Sequence, residues 1–502
     1  MYLTFDIGTT SVKVVLFDPN GRVIGKAIRN YALEMPEVNW YEVNPETYWD
    51  AVVSGIREVL SVTRVSAGEV RSVSGCSQGE TVVFLSADGR PVRPAIVWLD
   101  LRAREEAAEL ASLATREEMY AVTGVTDVDP TWTATKILWV KRHDPTAFAR
   151  TARIFLVEDY ITWRLTGRAC STTNLLSTSL LVDVHRHTYW DKFVDFLGIA
   201  GLLPQIIEPG DMVETLSFAA ARTLGLEPTT LVVKGAMDQA TSALGAGNCA
   251  PGIVTETTGS VMAIGVTTPS VATESLVRLP YLPHVVPGSF LFLPYVQTAG
   301  GAFKWWRDNF CAEEIRAAGD PEAAYERMDR QAAAVSAGSE GVVFLPFLAG
   351  AGQPENDPDA RAVFYGLTLM HGKGHCARAI MESIAFMLRK ILSDIRRLGI
   401  SITEIRSMGG GARSDLWLQI KADVTGIPVV RMEEETSSLG AAILAAVRLG
   451  ERPNLTAATA AMVHRGRRFE PDPSAGKEYE TSYALYNELH NALIPVFRRF
   501  SQ

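Results

Sequence analysis

The chain has 502 residues, 47% of them hydrophobic and 21% charged, with a formal net charge of −9; this length predicts two domains, and the acidic balance argues against a nucleic-acid surface, which needs a basic face. Five scattered cysteines without a CxxC pair argue against a disulfide framework or structural zinc. No apolar run approaches the ~20 residues of a membrane span and no leader-like segment opens the chain, so a cytoplasmic protein with neither nucleic-acid nor membrane partner is expected.

Residues 2–5 and 12–17 read as strands around the polar turn DIGTTS, and Asp18-Pro-Asn-Gly21 predicts a hairpin into a third strand over 23–29. Asn44 followed by Pro45 opens a helix over 45–60. Strands are expected over 72–75, 81–85 and 95–99, with the polar string CSQGET between the first two. Residues 103–224 are expected to be mostly helical. A short strand over 231–233 runs into GAMDQA, where a helix starts near Asp238. The pattern then begins again: VTETTGSVMAIGV reads as strand, hydroxyl-rich turn and strand, which predicts a duplicated architecture with its boundary near 248–251. A 3.6-residue apolar stripe from Ala377 to Leu398 predicts a long helix ended by Gly399. A strand over 405–408 meets GGGARSDLW, and the last 50 or so residues read as surface strand and helix.

Three Gly/Thr/Ser-rich turns, DIGTTS, ETTGS (256–260) and MGGGARSD (408–415), each follow a short apolar strand. Singly they suit ordinary hairpins; together they suit phosphate, because glycine lets backbone N–H groups approach an anion and hydroxyls donate to its oxygens. No GxxxxGK[ST] is present, and no GxGxxG lies in a βαβ unit. Asp6 beside three hydroxyls could hold a hydrated divalent cation; a strand-end carboxylate bonding its own turn is the alternative. Asp238, where a turn enters a helix, suits a proton acceptor held rigidly beside a hydroxyl, or a plain helix cap. The eight histidines show no ligand spacing.

The three turns resemble the two phosphate hairpins and the adenosine loop of the actin-like ATPase superfamily. TWTATKILWVKRHDP, with Lys136 and Trp139, and AVFYGLTLMHGKGHCARAIMES, with Gly366, His375 and Glu382, resemble the two signatures of the FGGY carbohydrate kinases. The likeness runs in order from Asp6 to about Val447, and within the family it is greatest to the xylulokinases and their relatives. It implies an α/β fold of two actin-like (ribonuclease-H-like) domains flanking a catalytic cleft. Residues 1–246 would carry the sugar site, first hairpin and base, residues 247–450 the second turn and adenosine loop, and 451–502 a tail packed on the second domain. ATP and Mg²⁺ are the implied cofactors, with Asp6 serving the metal. Thr9, Thr10, Ser11, Thr258, Gly259, Gly300, Lys304, Gly410, Gly411 and Asp415 would meet the nucleotide, although Lys304 replaces a glutamine and equally suits a solvated helix face. Asp238 would be the catalytic base, with Ser77, Gln78, Glu80, Asp100, Asp238 and Gln239 around the sugar. Asp100 is alternatively a salt-bridge partner of Arg102 or Arg104.

The implied reaction moves the γ-phosphate of ATP to a hydroxyl of a small linear sugar, D-xylulose giving xylulose 5-phosphate as the first expectation, with a homodimer allowed. Ribulose, erythritol or glycerol are alternatives, as is a non-metabolic actin-like ATPase. The stretch Gly75-Cys76-Ser77-Gln78-Gly79 departs from the xylulokinase G-Q-M-H-G by placing Gln78 at the histidine. It departs from the glycerol kinase Q-R-E-T by placing Gly79 at the arginine, and Thr131 stands where glycerol kinases have tyrosine.

Overall fold

The computed structural model describes residues 1–273, 275, 277–353, 355, 357–432 and 435–500. Alternating polar and apolar residues at the start form strands Tyr2–Ile7, Ser11–Phe17 and Val23–Asn30. They enter a six-stranded sheet in the order Met212–Thr215, Leu231–Met237, Ser72–Ser77, Tyr2–Ile7, Ser11–Phe17, Val23–Asn30. A second sheet repeats the plan. In the first, Tyr2–Ile7 runs antiparallel to its hairpin partner Ser11–Phe17 and parallel to Ser72–Ser77. In the second, Ile253–Thr258 runs antiparallel to Met262–Thr268 and parallel to Glu404–Met408. The duplication expected from VTETTGSVMAIGV is therefore architectural, and the fold is the two-domain actin-like one.

Helix Pro45–Thr63 begins where expected: the Asn44 side chain accepts from the Glu46 N–H at 3.0 Å, and Tyr48, Val52, Ile56 and Val59 are buried against the first sheet. Arg64, at φ 59°, ends it. Helix Lys373–Arg397 buries its predicted stripe in the second core, and Gly399, at φ 80°, follows its cap. Two expectations change. The region 103–224 is not simply helical: Arg153–Leu156 is a strand paired antiparallel with Val82–Leu85. This short apolar run passes directly into helix Val157–Thr166, with Leu156 at its N-cap, so no turn residue marks the boundary. The C-terminal residues are also more than surface. Arg465–Phe469 adds to the second sheet beside Val429–Met432, and helix Pro473–Phe500 buries Tyr479 and Tyr486 against Phe386.

Helices Asp238–Gly245 and Thr436–Arg448 cross between the two sheets with backbone touching backbone. A Cβ on Gly245 would lie 1.8 Å from the Thr436 carbonyl, and one on Gly440 would lie 1.9 Å from that of Thr241. Only glycine fits at either place. No helix among the described residues is long and apolar enough to cross a membrane.

Candidate active site

The first hairpin closes with a 2.9 Å bond from the Gly8 N–H to the Ser11 carbonyl, and the Tyr31 hydroxyl donates to the Gly8 carbonyl. Ile7 and Val12 are fully buried on either side, so the core fixes a turn whose Thr9, Thr10 and Ser11 remain at least partly accessible. The Thr9 hydroxyl accepts from the Trp98 indole N–H at 2.9 Å. Asp6, half-buried one residue before the strand ends, lies opposite Lys13 in the pairing register. Its Oδ2 accepts from the Ser437 hydroxyl of the second domain at 2.6 Å.

Three parallel strands deliver their C-terminal ends together, Ile7 beside Ser77 and Ser77 beside Met237. Open parallel sheets bind ligands at such ends. The third strand reaches the site through an irregularity between Val233 and Ala236, where Gly235 lies so near Gly75 that a Cβ would fall 1.5 Å from its carbonyl. The Met237 N–H is held by Asn174 Oδ1 at 2.9 Å. Asp238 follows as the first residue of its helix, half-buried, with no cation paired to it among the described residues. Burial, the charge of Asp6 and that of Glu80 raise its carboxyl from 3.8 to about 8, against a hydrogen bond from the Gln239 N–H. A carboxylate tuned to neutrality is matched to taking a proton from an alcohol. Gln239 stands next to it, partly accessible.

On the acceptor side, Glu80 occupies a left-handed conformation at φ 56°. Burial raises its carboxyl, while the Thr178 hydroxyl and the Lys136 charge oppose that rise and Asp129 adds to it. Tyr295, from the second domain, faces the same group: burial first, then Asp129 and Glu80, raise its phenol.

The structure places the other expected sugar contacts as follows. Both Gln78 amide atoms are sealed from solvent without a well-formed hydrogen bond, beside the Tyr48 hydroxyl of helix Pro45–Thr63. Ser77 is fully buried and donates to the Gln78 carbonyl at 2.8 Å. Asp100 accepts from the Tyr41 N–H at 2.6 Å and from the Arg102 guanidinium at 2.7 and 2.8 Å, which satisfies it as the salt bridge named above as its alternative role. An Asp100 so engaged has little left for a sugar.

The second domain faces this site across a cavity of about 520 Å³ lined by Lys13, Ser242, Thr257, Gly410, Arg413, Arg431 and Ser437 among others. Thr258 lies in the second turn, but its hydroxyl is buried: it donates to Glu256 and accepts from Lys421 Nζ at 3.0 Å. Only its backbone can serve a phosphate. Glycines bring the loops together around it. A Cβ on Gly411 would lie 2.6 Å from Thr258 Cβ, and one on Gly300 would lie 2.3 Å from the Gly259 carbonyl. Gly300 opens helix Gly300–Phe310, whose N-terminus abuts the turn and suits an anion. Lys304 projects outward to Asp308 at 2.6 Å, as a solvated helix lysine does. Asp415, expected to meet the nucleotide, pairs with Arg431 and Arg467.

Sequence reading missed Lys13, Ser437 and Lys421. Lys13 had a signal, since it shares the alternating face of Ser11; Burial lowers its ammonium, and Glu435 and Asp6 more than restore it to a raised value. Ser437 and Lys421 act on residues 431 and 165 positions away and carry no local signal.

Comparison with known proteins agrees in order and extent. The model for the FGGY family of carbohydrate kinases, N-terminal domain, matches residues 1–245, and that for the C-terminal domain matches residues 253–449. The chain is 28% identical to a xylulose kinase of Bacillus subtilis (strain 168), covering 98% of each chain. It is 31% identical to a glycerol kinase of Allorhizobium ampelinum, covering 93% of this chain and 94% of that one. The crystal structure of a gluconate kinase from Lactobacillus acidophilus superposes with a TM-score of 0.87 at 25% identity over 99% of both chains. Two family domains in their proper order, on the duplicated fold and around one cleft, make the conclusion plain: this chain belongs to the FGGY family of carbohydrate kinases.

Proposed function

We propose that the protein transfers the γ-phosphoryl group of ATP to a terminal hydroxyl of a neutral linear sugar, with D-xylulose giving xylulose 5-phosphate as the first candidate. The observation that carries this reading is Asp238 at the start of its helix beside the converging strand ends, with no cation paired to it among the described residues and its carboxyl raised to about 8 by burial and the charges of Asp6 and Glu80. Asp238 takes the proton of the acceptor hydroxyl as its oxygen bonds to the γ-phosphorus, the bond from that phosphorus to the β–γ bridging oxygen breaks, and ADP leaves. Glu80 accepts hydrogen bonds from other sugar hydroxyls, while Thr9, Thr10, Ser11 and the backbone of 258–260 line the phosphate path.

Among the described residues no group of three or more His, Cys, Asp or Glu side chains gathers as a metal site. Asp6 fits Mg²⁺ nonetheless, because that ion usually keeps several waters and takes one or two carboxylates with substrate phosphates. When bound, Mg²⁺ supplies charge neutralisation at the phosphates.

Charge favours a neutral acceptor over an aldonate. Asp6, Asp238, Glu80 and Asp129 all act on this pocket, against the buried Lys136 beside Glu80. A further carboxylate brought in by the substrate would be repelled. Gly79 and Thr131 also stand at the positions where glycerol kinases carry arginine and tyrosine. We take the enzyme to be cytoplasmic. A coupled assay against D-xylulose, D-ribulose, erythritol, glycerol and gluconate tests the reading. A pentulose should exceed glycerol and gluconate by at least ~10²-fold in kcat/KM. Glycerol or gluconate ranking first, or ATP turnover indifferent to sugar, overturns it.

A further inference from the structure

Among the described residues three lysines are fully buried, and they differ in what they touch. Lys234 lies 2.7 Å from Asp159, and Lys421 lies 2.7 Å from Glu256. Lys136, on helix Thr133–His143, has no carboxylate within 4.0 Å among the described residues. Its Nζ donates instead to the backbone carbonyl of Glu80 at 3.3 Å, and the Thr133 hydroxyl donates to the same oxygen at 3.4 Å. Burying an ammonium for one neutral carbonyl is costly and needs a reason.

The reason lies in the conformation of Glu80. The Thr81 N–H bonds the Gly79 carbonyl at 2.6 Å, closing a three-residue turn around Glu80 at φ 56°. A γ-turn of positive φ is rare and strained, most of all at a residue other than glycine. Such a turn persists where its surroundings over-determine it. Lys136 and Thr133 supply that restraint from one helix turn.

We propose that Lys136 is a positioning residue for the acceptor site, clamping the Glu80 carbonyl so that the strained turn presents the Glu80 carboxylate to the sugar. This rests on the reading of Glu80 as a sugar contact. Asp100 does not compete for the ammonium, because Arg102 and Tyr41 occupy it, and Asp129 is exposed at the rim. Burial lowers the Lys136 ammonium to about 7 and raises the Glu80 carboxyl, so each charge is sustained by the field of the other. The lysine thereby helps to keep Glu80 an acceptor rather than a donor.

The test compares Lys136→Met, Glu80→Gln and the double variant with D-xylulose and ATP as probes. Each single change should raise the KM for D-xylulose ~10–100-fold with the KM for ATP within ~3-fold, and the double variant should be no worse than the poorer single one. An unchanged sugar KM in Glu80→Gln removes the acceptor reading and the proposal with it. A sugar KM raised in Glu80→Gln but not in Lys136→Met, effects that multiply in the double variant, or equal losses for sugar and ATP overturn the proposal alone. Should Lys136→Met fail to fold, Thr133→Val removes the other donor to the same carbonyl without touching a charge. It should raise the sugar KM ~3-fold or more with ATP unaffected, and no change overturns the clamp.

Discussion

The two hairpins are built alike and used differently. Each is an antiparallel pair whose first strand has a parallel neighbour, and each carries a carboxylate just before its glycine, Asp6 before Gly8 and Glu256 before Gly259. Asp6, half-buried at the end of its strand, accepts from the Ser437 hydroxyl and has no buried lysine fastened to it among the described residues. Glu256 is fully buried between Lys421 at 2.7 Å and the Ser407 hydroxyl at 2.6 Å, and it fastens the turn to helix Asp415–Thr425, which follows the glycine loop 409–411. One carboxylate is left available for chemistry; the other has become a strut. The same division runs through the molecule. Glu158 and Asp159 are matched to Lys234, whereas Asp238 has no cation paired to it among the described residues.

The most severe break of this contrast is at the unpaired site. Asp238→Asn should keep the fold and lower kcat by ~10²–10⁴-fold, as loss of a positioned base does; activity within fivefold of the parent would remove the assignment. Its pH behaviour is a companion readout. The base is competent only when ionised, so kcat/KM for sugar should rise with pH toward about 8 rather than plateau near 4. Stability runs the other way. The folded chain retains on Asp238 a proton that the unfolded chain releases above 3.8, so this residue erodes stability as pH rises toward about 8. Asp238→Asn should therefore gain on the parent across that window in denaturant titrations.

Next comes the strut. Lys421→Met leaves Glu256 buried and unpaired and should cost ~3–5 kcal/mol in urea unfolding, whereas Asp6→Asn should leave the midpoint nearly unchanged. Equal losses in the two variants would erase the distinction between the hairpins.

The smallest effect separates side chain from backbone. Thr258→Val should lower stability by about 1–2 kcal/mol, because it takes a partner from both Glu256 and Lys421. The KM for ATP should stay within ~3-fold, since the backbone that would meet the phosphate is unchanged. A large rise in that KM would return the hydroxyl to the nucleotide.

Legibility followed distance along the chain. Both hairpins, the long helix and the turn before Asp238 could be read because apolar strands are punctuated by polar turns within a few residues. The strand Arg153–Leu156 could not, since it passes into a helix without a turn. In CSQGET the residue types were informative but their directions were not. A polar side chain just past a strand end can turn to either face, and Gln78 turns to Tyr48 while Glu80 stays at the acceptor side. Thr258 and Asp415 look free in sequence because Lys421, Arg431 and Arg467 draw no notice until folding brings them in, whereas Arg102, two residues from Asp100, could be named as its partner. Ser437, which caps Asp6, is 431 residues away.

The glycine crossing of helices Asp238–Gly245 and Thr436–Arg448 has a mechanical consequence. Asp238 and Thr436 are the first residues of the two helices: Thr436 is itself at the backbone contact, and Asp238 lies one turn from Thr241, the other contact point on its helix. A contact with no side chain between its rods is a fulcrum without play. Groups close to a fulcrum travel little while the ends of the levers swing widely. The mouth of the cleft can thus open by far more than the span between Asp238, Asp6 and Ser437 changes, so substrates enter and leave around a centre that stays nearly still.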